Sequence, residues 1–258
     1  MAEFTNPLRL VSPLEKTGRA KDAQFLLAGN NEFKQNFHPG DVDGEFGPAS
    51  AAATKRAKYM LGYPQSAVDS SFGQTLYEML TGTKKLTPAN QALREQRMKA
   101  EEAHGGAKKQ ALAAALEDAK NSVHEEGDNL TPFGKWYGMD GQPWCAMYVT
   151  YRLVHAGFDG FEQGKFASYC GSVVDAAKHG QRHLALTTDP EPGDIVIYNG
   201  DEHIEFFVDW VDKPNTFKAV GGNTSAHDGS PSNGGEVAVN TRSRSGGFRA
   251  TCFIRVGA

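Results

Sequence analysis

The segment GQPWCAMYVTY, residues 141–151, predicts a helix that begins at a cysteine. Pro143 suits a first helical turn, and apolar residues then recur at helical spacing until Gly157 ends the pattern. Unpaired backbone N–H groups and the positive end of the helix dipole stabilise a thiolate at such a position. Cys145 is therefore either an activated nucleophile or a small buried residue on an amphipathic helix.

Length and composition describe a globular chain with no extreme bias. The 258 residues are 39% hydrophobic and 22% charged, and 27 basic against 31 acidic residues give a formal net charge of -4. The absence of a basic stripe argues against nucleic acid as a partner. Because the sequence has no long apolar run and no signal-peptide pattern, we expect neither membrane insertion nor self-export. We expect a monomer with two domains.

The three cysteines are widely spaced, at Cys145, Cys170 and Cys252. An odd number of widely spaced cysteines argues against a disulfide framework and against a zinc-binding motif. This usage is typical of a chain made in a reducing cytoplasm. We interpret Cys170 and Cys252 as small buried residues.

Other polar residues give no metal site. His179 and His183 lack companions that would complete a ligand set, so we interpret them as surface residues. Asp140 alone offers too few oxygen atoms for a hard cation. Asp194 follows Pro-Gly and is interpreted as a turn residue. We therefore predict no metal and no cofactor.

Residues 1–88 predict a small all-α domain. An apolar helical run leads to the loop DVDGEFGP, residues 41–48, and an alanine-rich helix follows over residues 49–61. The loop is expected to be tight, with Val42 and Phe46 packed against the helices. This pattern resembles the peptidoglycan-binding domain that accompanies many cell-wall hydrolases. A helical packing domain without a ligand is the alternative.

A weaker copy of the loop pattern follows as AVDSSFGQ, residues 67–74. It is either a half-repeat or another helix-capping loop, and both interpretations predict a helix after it. Beyond it, residues 89–107 predict a solvated helical linker in which His104, Gly105 and Gly106 break the helix. The catalytic domain would then span residues 108–258.

Beyond the cysteine helix the sequence predicts an antiparallel hairpin. The strand IVIY, residues 195–198, precedes a longer strand that begins at His203 and carries Glu205 on the same face. If the next turn is centred near Lys213, the numbers of paired residues sum to about 426, which places Asn223 beside His203. A thiol, a histidine and an amide that orients the histidine ring have the roles of a cysteine hydrolase.

The chain contains three motifs and one histidine in a characteristic order: PWCA at 143–146, PGDIV at 192–196, His203, and GGN at 221–223. In these residues it resembles the CHAP family, the cysteine- and histidine-dependent amidohydrolases and peptidases. The similarity covers residues 125–257, and residues 127–138 are typical of CHAP endolysins from phages of actinobacteria. The resemblance implies an α+β fold, with a papain-like domain of helices packed on an antiparallel sheet.

The resemblance also implies the role of each site residue. Cys145 would be the nucleophile, His203 the general base and then acid, and Asn223 the residue that orients His203. Some relatives carry a glutamate two residues before the asparagine, where this chain has Gly221. Glu205 is therefore an alternative third member, although the sequence favours Asn223. Three aromatic residues are candidates for a substrate groove, with packing as the simpler explanation: Trp136, Trp144 and Tyr169.

The function implied by the resemblance is that of a phage endolysin, which hydrolyses an amide bond of bacterial peptidoglycan and lyses the host cell. The enzyme would be made in the host cytoplasm without a signal peptide and would reach the wall through a holin pore. Two alternatives stay open. One is a secreted bacterial amidase effector with the same chemistry, and the other is a non-catalytic wall-binding or virion structural protein.

Overall fold

The computed structural model describes residues 4–37, 39–226 and 231–257. The chain divides into two compact units, Met1–Ala100 and Glu101–Ala258. Within the described residues the first unit is helical, and the second combines helices with a six-stranded antiparallel sheet. The predicted α+β class is therefore confirmed.

The first unit contains four helices and a short 3₁₀ turn among its described residues: α1 (Gly18–Leu27), α2 (Pro48–Met60), the turn (Gln65–Ala67), α3 (Gln74–Leu80) and the first part of α4 (Pro88–Lys120). As predicted, Phe46 is buried in the apolar core between these helices, whereas Val42 is only half-buried. The buried Gln24 amide holds the loop: it donates to Asp43 at 3.0 Å and accepts from the Gly44 N–H at 2.7 Å. The loop is therefore fixed from α1.

The two loops of the first unit share one local structure. A carboxylate oxygen of Asp43 accepts a hydrogen bond from the N–H of Glu45 at 2.8 Å, and Asp69 accepts one from Ser71 at 2.8 Å. A fully buried phenylalanine and then a glycine N-cap follow in each case: Phe46 and Gly47 in the first, Phe72 and Gly73 in the second. This geometry favours the half-repeat interpretation.

Helix α4 is continuous over its 33 residues, so the predicted break at residues 104–106 is wrong. A glycine in a helix costs about 1 kcal/mol relative to alanine. That cost is offset here by strong helix formers on both sides and by the packing of Ala107 and Ala111 in the core of the second unit. The division at Ala100–Glu101 lies within the predicted linker, residues 89–107. In the described part of the chain, no helix is both long and apolar enough to cross a membrane.

The second unit is built on an antiparallel sheet with the strand order β1-β6-β2-β3-β4-β5. The strands are β1 (Leu184–Thr187), β2 (Ile195–Tyr198), β3 (His203–Asp212), β4 (Thr216–Thr224), β5 (Glu236–Ser243) and β6 (Ala250–Val256). Three more helices complete the unit: α5 (Pro132–Tyr137), α6 (Cys145–His155) and α7 (Cys170–Lys178). Helix α6 packs on β3 and β4, so its first residue is held next to the central strands.

The register of the central hairpin agrees with the prediction. Phe206 pairs with Val220 and Phe207 with Ala219. Ile204 and Phe206 pack in the core that contains α6, whereas Phe207 belongs to a separate aromatic cluster. Alternation along β3 therefore separates the two faces as expected.

Asp194 makes the predicted turn contact and also forms two buried ion pairs. Its Oδ2 accepts from the N–H of Glu191 at 2.8 Å, which is the turn contact. The carboxylate is also fully buried and forms ion pairs with Lys108 and Arg255, each at 3.0 Å. Burial raises the pKa of Asp194, and the two cations oppose that effect. Asp194 therefore fixes the start of β2.

Candidate active site

Cys145 is the first residue of α6, as predicted, and Trp144 is its N-cap. Pro143 lies just before the helix and not within its first turn. The Cys145 side chain is 6% exposed, and the N–H of Ala146 points toward its sulfur. The sulfur is therefore at the positive end of the helix dipole.

Cys170 supplies a second thiol to the site. Its sulfur lies 3.9 Å from that of Cys145, at the first turn of α7. Donation from the Cys170 thiol is the largest effect that lowers the pKa of Cys145 well below the ordinary value, with burial acting against it and His203 adding to it. The Cys145 thiolate, together with burial, raises the pKa of Cys170. The pair therefore consists of one thiolate and one thiol.

His203 faces Cys145 from the first position of β3. Burial lowers the pKa of this fully buried imidazole, but the Cys145 thiolate and the Glu205 carboxylate outweigh burial and raise it to about 9. Neither ring nitrogen makes a well-aligned hydrogen bond with a described residue, so these contacts are electrostatic in this conformation. Such contacts often tighten only when substrate binds. These shifts favour a thiolate at Cys145 and an imidazolium at His203 at neutral pH.

Glu205 holds the other side of the imidazole. Its Oε1 lies 3.3 Å from Nε2 of His203, and both side chains are fully buried. Arg242 binds the carboxylate with two nitrogen atoms, at 2.6 Å and 3.0 Å, and the Tyr198 hydroxyl donates to it at 2.6 Å. Although burial raises the pKa of Glu205, His203 and Arg242 lower it to about 2. The carboxylate is therefore ionised behind the histidine.

Gly221 makes room for Glu205. Continuing the hairpin register from Phe206 and Val220 places Glu205 opposite Gly221 on the neighbouring strand. A Cβ atom at Gly221 would lie 2.6 Å from Cγ of Glu205, far closer than real contacts allow. Glu205 therefore occupies the space that a side chain at position 221 would need.

Asn223 lies at the end of β4, fully buried and with φ of 58°. Among the residues that the structure describes, neither polar atom of its side chain has a hydrogen-bond partner. The structure thus brings Cys145, His203 and Glu205 together, and its geometry favours Glu205 as the group that orients His203. Asn223 occupies the predicted strand position without the predicted bond.

The three aromatic candidates have different environments. Trp144 is fully buried, stacks on Phe133 and donates from Nε1 to Glu125 at 3.0 Å, so its ring belongs to the core. Trp136 is half-buried against the rings of α6. Tyr169 is 57% exposed and directly precedes Cys170. Of the three, Tyr169 has the most exposed side chain.

The sequence interpretations of two cysteines and two histidines have different outcomes. Cys170 is buried as predicted, but Cys252 is half-buried, because it lies on β6 next to an exposed neighbour. His179 is exposed as predicted, with 60% of its side chain accessible. His183 does have ligand-type companions, Asp159 and His104. The sequence missed them because they are distant along the chain.

Searches for similar proteins add no identification. No family model, curated protein or solved structure gives a significant match to this chain. The geometry of the site therefore carries the chemical interpretation.

The three thiols are expected to differ in reactivity toward iodoacetamide. Only Cys145 has a lowered pKa, whereas burial raises the pKa of Cys252 and the neighbouring thiolate raises that of Cys170. At about pH 6, below an ordinary thiol pKa of about 8.5, we expect alkylation of Cys145 alone. Peptide mass spectrometry measures this selectivity. Cys170→Ala should slow the reaction at that pH, and a rate that rises only near pH 8.5 in the unaltered protein would contradict the thiolate assignment.

Proposed function

We propose that the second unit is a cysteine amidohydrolase or peptidase of the CHAP type. The observation that carries this proposal is the placement of Cys145 at the N-terminus of α6 against His203, whose ring is in turn contacted by the ionised Glu205. A nucleophile, a base and a group that orients the base define this chemistry independently of sequence order. The α+β architecture is compatible with a papain-like arrangement.

The proposed reaction begins with attack of the Cys145 thiolate on an amide carbonyl carbon. The C–S bond forms, the carbonyl electrons move to oxygen, and the backbone N–H of Cys145 is placed to stabilise the oxyanion. The His203 imidazolium then gives its proton to the leaving nitrogen, and the C–N bond breaks. Water attacks the thioester, His203 takes a proton from it, and the thiolate leaves.

Peptidoglycan is the substrate that the sequence supports best. The support consists of the CHAP-like motifs around Cys145 and His203 and of the loop that resembles wall-binding domains, residues 41–48. Buried Phe46 and the Gln24 hydrogen bonds give that loop a defined structure. In this proposal the protein is an endolysin that reaches the wall after release from the host cytoplasm.

Digestion of purified peptidoglycan tests this function. The full chain should release soluble fragments with one new amino group for each bond cut and with no new reducing sugar ends. Mass spectrometry of the fragments identifies the bond, either muramoyl–L-alanine or one within the peptide. The proposal fails if the protein releases nothing from walls of several actinobacterial and other hosts, or if it cuts only glycosidic bonds.

A further inference from the structure

Two histidines and one aspartate meet at a second site in the second unit. His104 comes from α4, Asp159 from the loop after α6, and His183 from the turn before β1. The His104 Nε2 lies 2.8 Å from Oδ1 of Asp159, and the His183 Nε2 lies 3.8 Å from the same oxygen. One potential ligand atom from each residue thus lies within 4.8 Å of the other two.

This spacing fits a tetrahedral zinc ion. Bonds of about 2.0 to 2.1 Å at tetrahedral angles separate neighbouring ligand atoms by about 3.3 Å. The two separations, 2.8 Å and 3.8 Å, lie on either side of that value. The third separation, between one ring nitrogen of each histidine, is within 4.8 Å. Side-chain movements of roughly 1 Å therefore suffice to bring the three ligand atoms to zinc-binding distances.

A histidine–carboxylate hydrogen bond explains only part of the cluster. It accounts for His104 and Asp159, but not for the His183 ring, whose centroid lies 4.4 Å from that of His104. A cation bound by both rings and the carboxylate accounts for all three residues of the cluster.

Access to the cluster differs among the ligands. His104 is 8% exposed, whereas the Asp159 side chain is 70% exposed and that of His183 is 40% exposed. One ligand is therefore fixed in the core, and the other two are reachable from solvent. An ion can enter from that side and keep a water molecule as its fourth ligand.

We propose that His104, Asp159 and His183 form a Zn²⁺ site with one water ligand. Asp159 follows the far end of α6, and the 11 residues of that helix span about 16 Å from Cys145. The ion is therefore remote from the thiolate. The ion links α4, the loop after α6 and the turn before β1. It thereby stabilises the fold, independently of the proposed hydrolase activity.

Zinc titration of the full chain tests the proposal. After treatment with EDTA and gel filtration, calorimetry with ZnCl₂ should show one ion per chain, and zinc should raise the unfolding temperature. His183→Ala and Asp159→Asn, both at exposed positions, should each weaken binding by roughly tenfold or more and abolish the zinc-dependent shift. The unfolding temperatures of the two variants in EDTA show whether each still folds without zinc.

Two matched controls assign the ion to this cluster. His179→Ala removes another exposed histidine four residues from His183 and should leave zinc binding unchanged. Cys145→Ala removes the thiolate whose sulfur lies 3.9 Å from that of Cys170, and it should also leave zinc binding unchanged. Co²⁺ bound in place of zinc should lack a thiolate charge-transfer band.

Three results would overturn the zinc assignment. The first is no zinc binding by the unaltered chain at micromolar concentrations. The second is equal binding by His183→Ala and the unaltered chain, and the third is loss of binding in Cys145→Ala. None of these bears on peptidoglycan hydrolysis, so the two proposals fail independently.

Discussion

Cys145→Ala is expected to reduce peptidoglycan hydrolysis by on the order of 10⁴-fold or more. The variant keeps the helix and the His203–Glu205 pair but removes the atom that attacks the carbonyl carbon. The release of amino groups from purified walls measures the effect. Cys145→Ser, which nearly preserves the side-chain volume, should be similarly inactive, because a serine hydroxyl stays protonated where the thiol is ionised.

Cys252→Ala is the matched control for this loss. It also removes one thiol, but from a half-buried position on β6, and burial raises the pKa of that thiol. Full activity is expected in this variant. Amino-group release by Cys145→Ala within tenfold of the unaltered chain would show that Cys145 is not the nucleophile. No release by the unaltered chain, with binding to walls intact, would instead leave the non-catalytic wall protein as the better interpretation.

Local patterns predicted the parts of the site that lie on regular elements. Cys145 is the first residue of α6 because the apolar residues after it repeat at helical spacing. The pairs Phe206–Val220 and Phe207–Ala219 have the predicted register, although two register shifts separate them from the pair Asp212–Thr216 at the turn. Sequence alone therefore located Cys145 at the start of its helix and His203 at the start of its strand.

Local sequence patterns could not predict contacts between segments that are distant along the chain. Cys170 reaches Cys145 across 25 positions, and Arg242 reaches Glu205 across 37. Arg242 lies on β5, a strand that the sequence analysis did not assign. The continuous α4 was missed for a related reason, because the packing of Ala107 and Ala111 that offsets its glycines is tertiary.

The choice between Asn223 and Glu205 stays a prediction, and the structure bears on it through the contacts of each side chain. Family similarity favoured the amide, since position 221 lacks its acid. The structure indicates that the empty space at Gly221 is filled by Glu205 from the paired strand. The carboxylate beside His203 therefore comes from the histidine's own strand.

Glu205→Gln is expected to lower turnover by about 10² to 10³-fold and to move the alkaline limit of activity to lower pH. The carboxylate helps to raise the pKa of His203 to about 9, so its loss should let the imidazolium deprotonate earlier. The pH profile of kcat/KM on a soluble wall fragment measures this shift. A role confined to folding would not move that limit.

The same substitution should also destabilise the fold, by about 3 kcal/mol, because it leaves Arg242 without its carboxylate in a buried place. Glu205 has a pKa of about 2 in the folded chain, below the ordinary value of 4.5. Its ionised form therefore stabilises the fold above about pH 4.5, and this contribution is lost as the pH falls toward 2. Glu205→Gln should lack that part of the acid dependence in thermal unfolding.

Two comparisons determine which residue orients His203. Glu202→Gln removes an exposed acid from the preceding turn and should change neither the pH limit nor the stability appreciably. Asn223→Ala removes an amide without a partner among the described residues, so it should lower turnover less than Glu205→Gln and leave the alkaline limit in place. If Asn223→Ala instead moves that limit and Glu205→Gln does not, the amide orients the histidine, and Glu205 serves only to neutralise Arg242.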